Sequence, residues 1–215
     1  MVGSDAPLTR PLTAVRTTVP PPRRPVDQGG PDDPRNPLDR LRRWYEDELG
    51  WPTEAACPDS PLRLSVGVRF DVLDVPAEAG RAALRHLVPG SPVAVQGDRM
   101  RLLVAAGGAE ELPGLLDWLE WRALALDLTA IGEGGRMEAP LPPARVPVRA
   151  DALQGAAMWL RPPEPGCEVE TSLPTLSAVG GLGGAPDLAR LVDTLATQCH
   201  RLRLRRACAQ PPSFP

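Results

Sequence analysis

The 215-residue chain contains no lysine; all 24 of its basic residues are arginine. That absence excludes P-loop nucleoside triphosphatases, whose phosphate loop needs a lysine, and all covalent chemistry through a lysine amine. The bias fits a GC-rich genome, although the planar arginine fork also suits phosphate recognition. Histidine is nearly missing: His86 and His200 are the only two, both in stretches of helical character, so no serine or cysteine nucleophile has an evident base. CxxC pairs are missing as well. Cys57, Cys167, Cys199 and Cys208 are expected as thiols in a reducing compartment, and Cys199, His200 and Cys208 fit no common zinc spacing. No apolar run approaches the roughly eighteen residues of a membrane span, and the N-terminus lacks the apolar core of a signal peptide, so a cytoplasmic protein is expected. Strong charge of one sign is lacking too. A net charge of −3 argues against coating nucleic acid by bulk electrostatics and leaves only local basic patches.

What is present points to one core. A hydrophobic content of 42% over this length predicts a single domain with tails. The 20 glycines and 28 prolines are unevenly spread, with nine of the prolines between Pro7 and Pro37 in a segment of little apolar periodicity. Residues 1–33 are therefore expected as a disordered arm, since they bury too little to offset their ordering entropy. The expected organisation continues with an α+β domain over 34–163, a Gly/Pro-rich connector over 164–185, an amphipathic helix over 186–208 and a short tail over 209–215.

Within the domain, "NPLDRLRRWYEDELG" predicts a helix with Asn36 as N-cap, Pro37 at its first position, Leu38, Leu41, Tyr45 and Leu49 on one side and Gly50 as terminator. "LRLSV" and "RFDVLDV" predict two short strands with a turn around Gly67. Pro76 suits the first turn of the helix "PAEAGRAALRHL", with Ala83, Leu84 and Leu87 inward. "PVAVQ" and "MRLLVA" predict a hairpin closed by Gly97 and Asp98, and "AEELPGLLDWLEW" a helix carrying Leu112, Leu115, Leu116 and Leu119. A further pair of strands is read in "LALDLTAIG" and "RMEAP" around Gly134 and Gly135, and a last one in "AAMWLRP". The final helix has an apolar stripe of Leu188, Leu191, Val192, Leu195, Cys199 and Leu202. Its arginines gather at the C-terminal end, where the helix dipole favours them. The expected fold is α+β: mostly antiparallel sheet, helices packed on one face and a long C-terminal helix.

The stretch "VRFDVLDVPAEAG" holds two aspartates. On a strand, side chains three apart point to opposite faces, so Asp71 and Asp74 cannot jointly hold one metal. Asp74 shares its face with Pro76, which has no ligand atom.

This run, followed by "GDRMRLLV", "LDLTAIGEGGRMEAPLPP" and "AMWLRPP", resembles the N-terminal domain of bifunctional DNA primase/polymerases, the prim-pol branch of the archaeo-eukaryotic primase superfamily. It looks most like the short actinobacterial proteins given that label. The resemblance covers about Leu41 to Pro163 and rests on the order and spacing of its motifs. It implies a site in which an Asp-x-Asp, a Gly-Gly-x-His element and a third carboxylate bind two divalent ions and the incoming nucleotide. Asp74 matches the first aspartate and Pro76 stands in place of the second. Met100 falls where the histidine belongs, flanked by Arg99 and Arg101, and Asp127 matches the third carboxylate. The resemblance thus implies a prim-pol-like fold without the catalytic set: a pseudoenzyme acting as a binding or regulatory module for a protein partner, with a nucleotide or nucleic acid as other ligands. If activity survived, Asp74 and Asp127 would be its residues and metal ligands, with magnesium or manganese as cofactor and Asp71 as a third ligand across a bulge.

Other candidates are weaker. "GGLGGAPD" has Pro186 in place of a third phosphate-loop glycine and reads as a connector with a helix start. Trp118 and Trp121 are expected to pack against the sheet, the alternatives being a stacking platform for bases or an exposed partner site. Arg99 and Arg101, together with the cluster Arg201, Arg203, Arg205 and Arg206, are the candidate phosphate or partner contacts. A structural subunit of a larger assembly is the remaining reading.

Overall fold

The computed structural model describes residues 36–54, 60–142, 155–176 and 187–209. The expected arm, Cys57 and the Gly180–Gly184 run lie outside the described residues. The architecture is α+β, built on a five-stranded antiparallel sheet in the order β6-β3-β5-β4-β8. Its strands are β3 (Phe70–Pro76), β4 (Val93–Gln96), β5 (Arg99–Ala105), β6 (Thr129–Ile131) and β8 (Met158–Arg161). A smaller antiparallel sheet orders β1 (Thr53–Glu54), β2 (Arg63–Ser65) and β7 (Arg136–Glu138) as β1-β2-β7.

Alternation along β3 divides the core in two. Leu73 and Val75, with Met100, Leu102 and Val104 of β5, face α2 (Ala77–Ala83), α3 (Gly108–Trp118) and α4 (Leu188–Ala209). Phe70 and Val72, with Leu103, Ala94 and Trp159, face α1 (Pro37–Arg43) and the smaller sheet, meeting Trp44, Tyr45, Trp51, Leu64 and Met137. With both faces covered, β3 has few exposed positions, which explains its nearly unbroken apolar run.

Small residues set the helix distances. Ala79, Gly80 and Ala83 of α2 are buried, and a Cβ on Gly80 would stand 2.4 Å from Met100 Sδ. Helix α4 presents the expected stripe, with Leu188, Leu191, Val192, Leu195, Cys199 and Leu202 all buried. The Asp187 carboxylate caps its start by accepting from Ala189 N at 2.9 Å.

Several expectations are corrected. The first helix does not run regularly to Leu49; after Arg43 it widens into a π turn, Trp44–Glu48, that buries both Trp44 and Tyr45 while Leu38 remains exposed. The successive strands β2 and β3, read only as two strands around the Gly67 turn, do not pair with each other, and neither do β6 and β7; both sets are divided between the two sheets. The Gly67 and Gly134–Gly135 turns thus carry the chain from one sheet to the other, held by Val66 N donating to Gly135 O at 2.9 Å. Pro76 is the last residue of β3 and the N-cap of α2, not a first-turn residue. Residues 124–128 precede β6 as irregular chain. Over the described part of the expected connector, Val169 and Leu173 are buried and Pro174 O accepts from Ala105 N at 2.9 Å.

Candidate functional site: an arginine bridge between two aspartates

Strand register decides which side chains meet. Asp74 lies opposite Arg101 across the β3–β5 ladder, and Pro76 lies opposite Arg99. Two-residue periodicity puts all four on the sheet face away from α2, α3 and α4. Met100 projects to the other face, where it is fully buried against Gly80. The position expected to stand for the family's histidine therefore does not face Asp74. Arg99 and Arg101 do.

Both oxygens of the Asp74 carboxylate are taken. Oδ1 accepts from Arg99 Nε at 2.6 Å and Oδ2 from Arg101 Nε at 3.1 Å. Arg99 reaches further: its Nη1 donates to Asp127 Oδ1, also at 2.6 Å. The other Asp127 oxygen pairs with Arg206 Nη1 of α4 at 3.6 Å. All four oxygens of the two candidate metal carboxylates thus face guanidinium groups. The Asp74 side chain is only 13% exposed, which strengthens charge-assisted bonds of this kind. Burial pulls the Arg99 guanidinium toward deprotonation, but its bonds to Asp127 and Asp74 outweigh that and hold its pKa above the usual arginine value.

The local chemistry is that of a neutralised acidic site. Three arginines face two aspartates, so an incoming divalent ion meets repulsion and no free carboxylate oxygen. Among the described residues, no group of three or more His, Cys, Asp or Glu is placed to hold a metal. The alternative third ligand fails on geometry: β3 pairs with β5 in continuous register from Phe70 to Pro76, without a bulge. Asp71 points to the opposite face, where its Oδ2 accepts from Ala109 N at 2.9 Å and caps α3. Burial raises its pKa, countered in part by backbone donors at Ala109 and Gly107.

The other expected contacts are mostly engaged within the chain. Arg203 Nη1 donates to Ala125 O at 2.8 Å, Arg205 pairs with Glu78 at 2.6 Å and Arg206 with Asp127. Arg201 is exposed and makes no ion pair among the described residues. Buried Cys199 donates to Asp127 O, while Cys208 is exposed. The thiol of Cys199 is pushed up to about 11, first by burial and then by Asp127. The two tryptophans part company. Trp121 is partly buried, donating to Asp193 Oδ1 at 3.0 Å and lying 6.0 Å from the His200 ring, whereas Trp118 is 74% exposed and does not pack against the sheet as expected.

Reading the sequence by its motifs missed the role of Arg99 and Arg101. Their alternation, Arg-x-Arg directly after the Gly97–Asp98 turn, was the available signal, since it puts two cations on one strand face. No family model matches the chain, and neither a curated protein nor a solved structure matches it. No helix among the described residues is long and apolar enough to cross a membrane.

Proposed function

We propose that this chain is a catalytically degenerate prim-pol-like domain that works in the cytoplasm as a binding or regulatory module with a protein partner. The reading rests on one observation: Arg99 donates to both Asp74 and Asp127, so a permanent internal cation occupies the position between the two carboxylates that a metal-dependent nucleotidyltransferase would need free. Two-metal catalysis requires ions that activate the attacking oxygen and stabilise the leaving one. A guanidinium provides fixed charge but binds no water as nucleophile and opens no coordination position. The sheet, its helices and the ionic network supply a rigid surface, which is what a binding module requires.

The test is nucleotide incorporation on a primed template by the full chain with Mg²⁺ or Mn²⁺. The expected result is no product above the protein-free background, for the wild type and for Asp74→Ala alike. Incorporation that Asp74→Ala abolishes overturns the proposal in favour of a surviving nucleotidyltransferase.

A further inference from the structure

A second surface lies at the C-terminal end of α3, and it is independent of the arginine bridge. Trp118 is 74% exposed, more than any other large apolar side chain among the described residues. Tryptophan is enriched among the residues that carry binding energy when an interface buries them. The stripe of α3 that carries it also carries Gly114 one turn earlier and Glu111 two turns earlier. A Cβ on Gly114 would meet nothing within 4 Å, so the surface before the indole is open. At the same helix end is a shallow cleft of about 460 Å³ lined by Asp117, Glu120, Arg122 and Ala123.

The charge here runs against helix stability. Asp117 and Glu120 lie at the negative end of the α3 dipole, whose last turn has no basic residue. Glu120 also holds a left-handed conformation, φ 64°, where glycine is the low-cost residue. Arg122, the one cation among the described residues that line the cleft, is drawn to Asp117 at 3.4 Å with both side chains largely exposed. A guanidinium is thus the group this corner attracts, and an exposed indole adds a face on which a guanidinium stacks.

We infer that this corner docks a protein partner through a basic segment, one arginine paired to Asp117 and Glu120 in the cleft and a neighbouring arginine of the same segment laid on the exposed Trp118. The full chain, labelled with ¹⁵N, is titrated with an oligoarginine peptide while the tryptophan indole N–H signals are followed. Trp118→Phe assigns the Trp118 signal by its loss. The expected result is a saturable shift of that signal, weakened by added salt. The double variant Asp117→Asn, Glu120→Gln keeps both side-chain sizes and is expected to weaken binding at least about tenfold, equivalent to ~1.4 kcal/mol. Retained dispersion of its other signals shows that it is folded. An equal shift with an oligoglutamine peptide, equal binding by the double variant, or no shift at all overturns the inference. So does a wild type that refuses the peptide when an Arg23→Glu, Arg24→Glu chain accepts it, since the site would then be held by the chain's own Pro20–Pro25 segment.

Discussion

Arg101 stands directly opposite Asp74 across the β3–β5 ladder and donates to it from Nε at 3.1 Å, so strand register alone delivers a cation to the carboxylate. Arg99, two residues back on the same face, then joins Asp74 to Asp127. Loss of the shared cation leaves two carboxylates facing each other with one arginine apiece. Because the Arg99 and Asp74 side chains are largely buried, Arg99→Ala is expected to cost about 1–3 kcal/mol, less than breaking a fully buried pair because Arg101 and Arg206 remain. Arg99→Lys keeps the charge without the fork and should fall between. Urea midpoints at unchanged slope give the measurement, and a loss below about 0.5 kcal/mol would show the bridge to be a mere surface pair.

This bridge marks where the sequence stopped being legible. Period-two alternation placed Asp71 and Asp74 on opposite faces, and the Gly97–Asp98 turn placed the β4–β5 hairpin, because both follow from local geometry. The α4 stripe was legible for the same reason. The pairing of β3 with β5 is non-local, and nothing in "FDVLDVP" or "RMRLLVA" states which residue lies opposite which. A one-residue difference in that register turns Met100 toward Asp74 and Arg101 away. The split of β2 from β3 and of β6 from β7 was hidden similarly, since a glycine turn between two strands does not say whether they pair with each other. Trp118 was misplaced because helical spacing with Trp121 says nothing about where α3 ends.

Asp71 gives a pH signature. Its carboxylate is fully buried, Oδ2 caps α3 through Ala109 N, and Oδ1 has no partner among the described residues. Burial raises its folded-state pKa above the ordinary 3.8, so between the two values the native state holds more protons than the unfolded chain. Its contribution to stability is then fully present below 3.8 and declines as pH rises through the folded value. Asp71→Asn keeps an acceptor for Ala109 N and cannot ionise. Its unfolding free energy, relative to wild type, should therefore increase as pH rises from the ordinary aspartate range, as read by urea titrations across pH. Asp71→Ala removes the acceptor and should cost about 1–2 kcal/mol at the acid end of that range, a cost that shrinks as pH rises because the variant does not ionise.

Tyr45 is the only tyrosine, which makes its titration a clean probe. Its hydroxyl donates to Pro140 O at 2.6 Å and accepts from Trp159 Nε1 at 2.8 Å, tying α1's π turn to β8. Burial holds its pKa well above the usual 10.0, with the Trp159 bond opposing only in part. The folded protein should show no tyrosinate absorbance at pH 10.0, where a free tyrosine is half ionised; ionisation should appear together with alkaline unfolding. The sign agrees with the linkage, since a raised folded pKa withdraws stability as pH climbs through it. Tyr45→Phe strands a buried indole N–H and is expected to cost about 1–3 kcal/mol, measured as a lowered urea midpoint.

Glu120 terminates α3 in a Schellman arrangement. Trp121 N donates to Leu116 O at 2.8 Å and Glu120 N to Asp117 O at 3.0 Å, which puts Glu120 at the left-handed position, φ 64°. A Cβ there crowds the following carbonyl by about 1–2 kcal/mol, an expense glycine avoids but partly returns through its greater freedom in the unfolded chain. Glu120→Gly should therefore raise stability by about 0.5–1 kcal/mol, helped by removing an acid from the negative helix end. Glu120→Asn should fall between, since asparagine tolerates the conformation, and Glu120→Val should destabilise through its branched Cβ. If Glu120 is kept acidic for a basic partner, the glycine variant gains stability while losing affinity for the arginine peptide. Thermal midpoints in the order Gly, Asn, Glu, Val, with peptide affinity strongest for Glu, separate that role from simple helix termination.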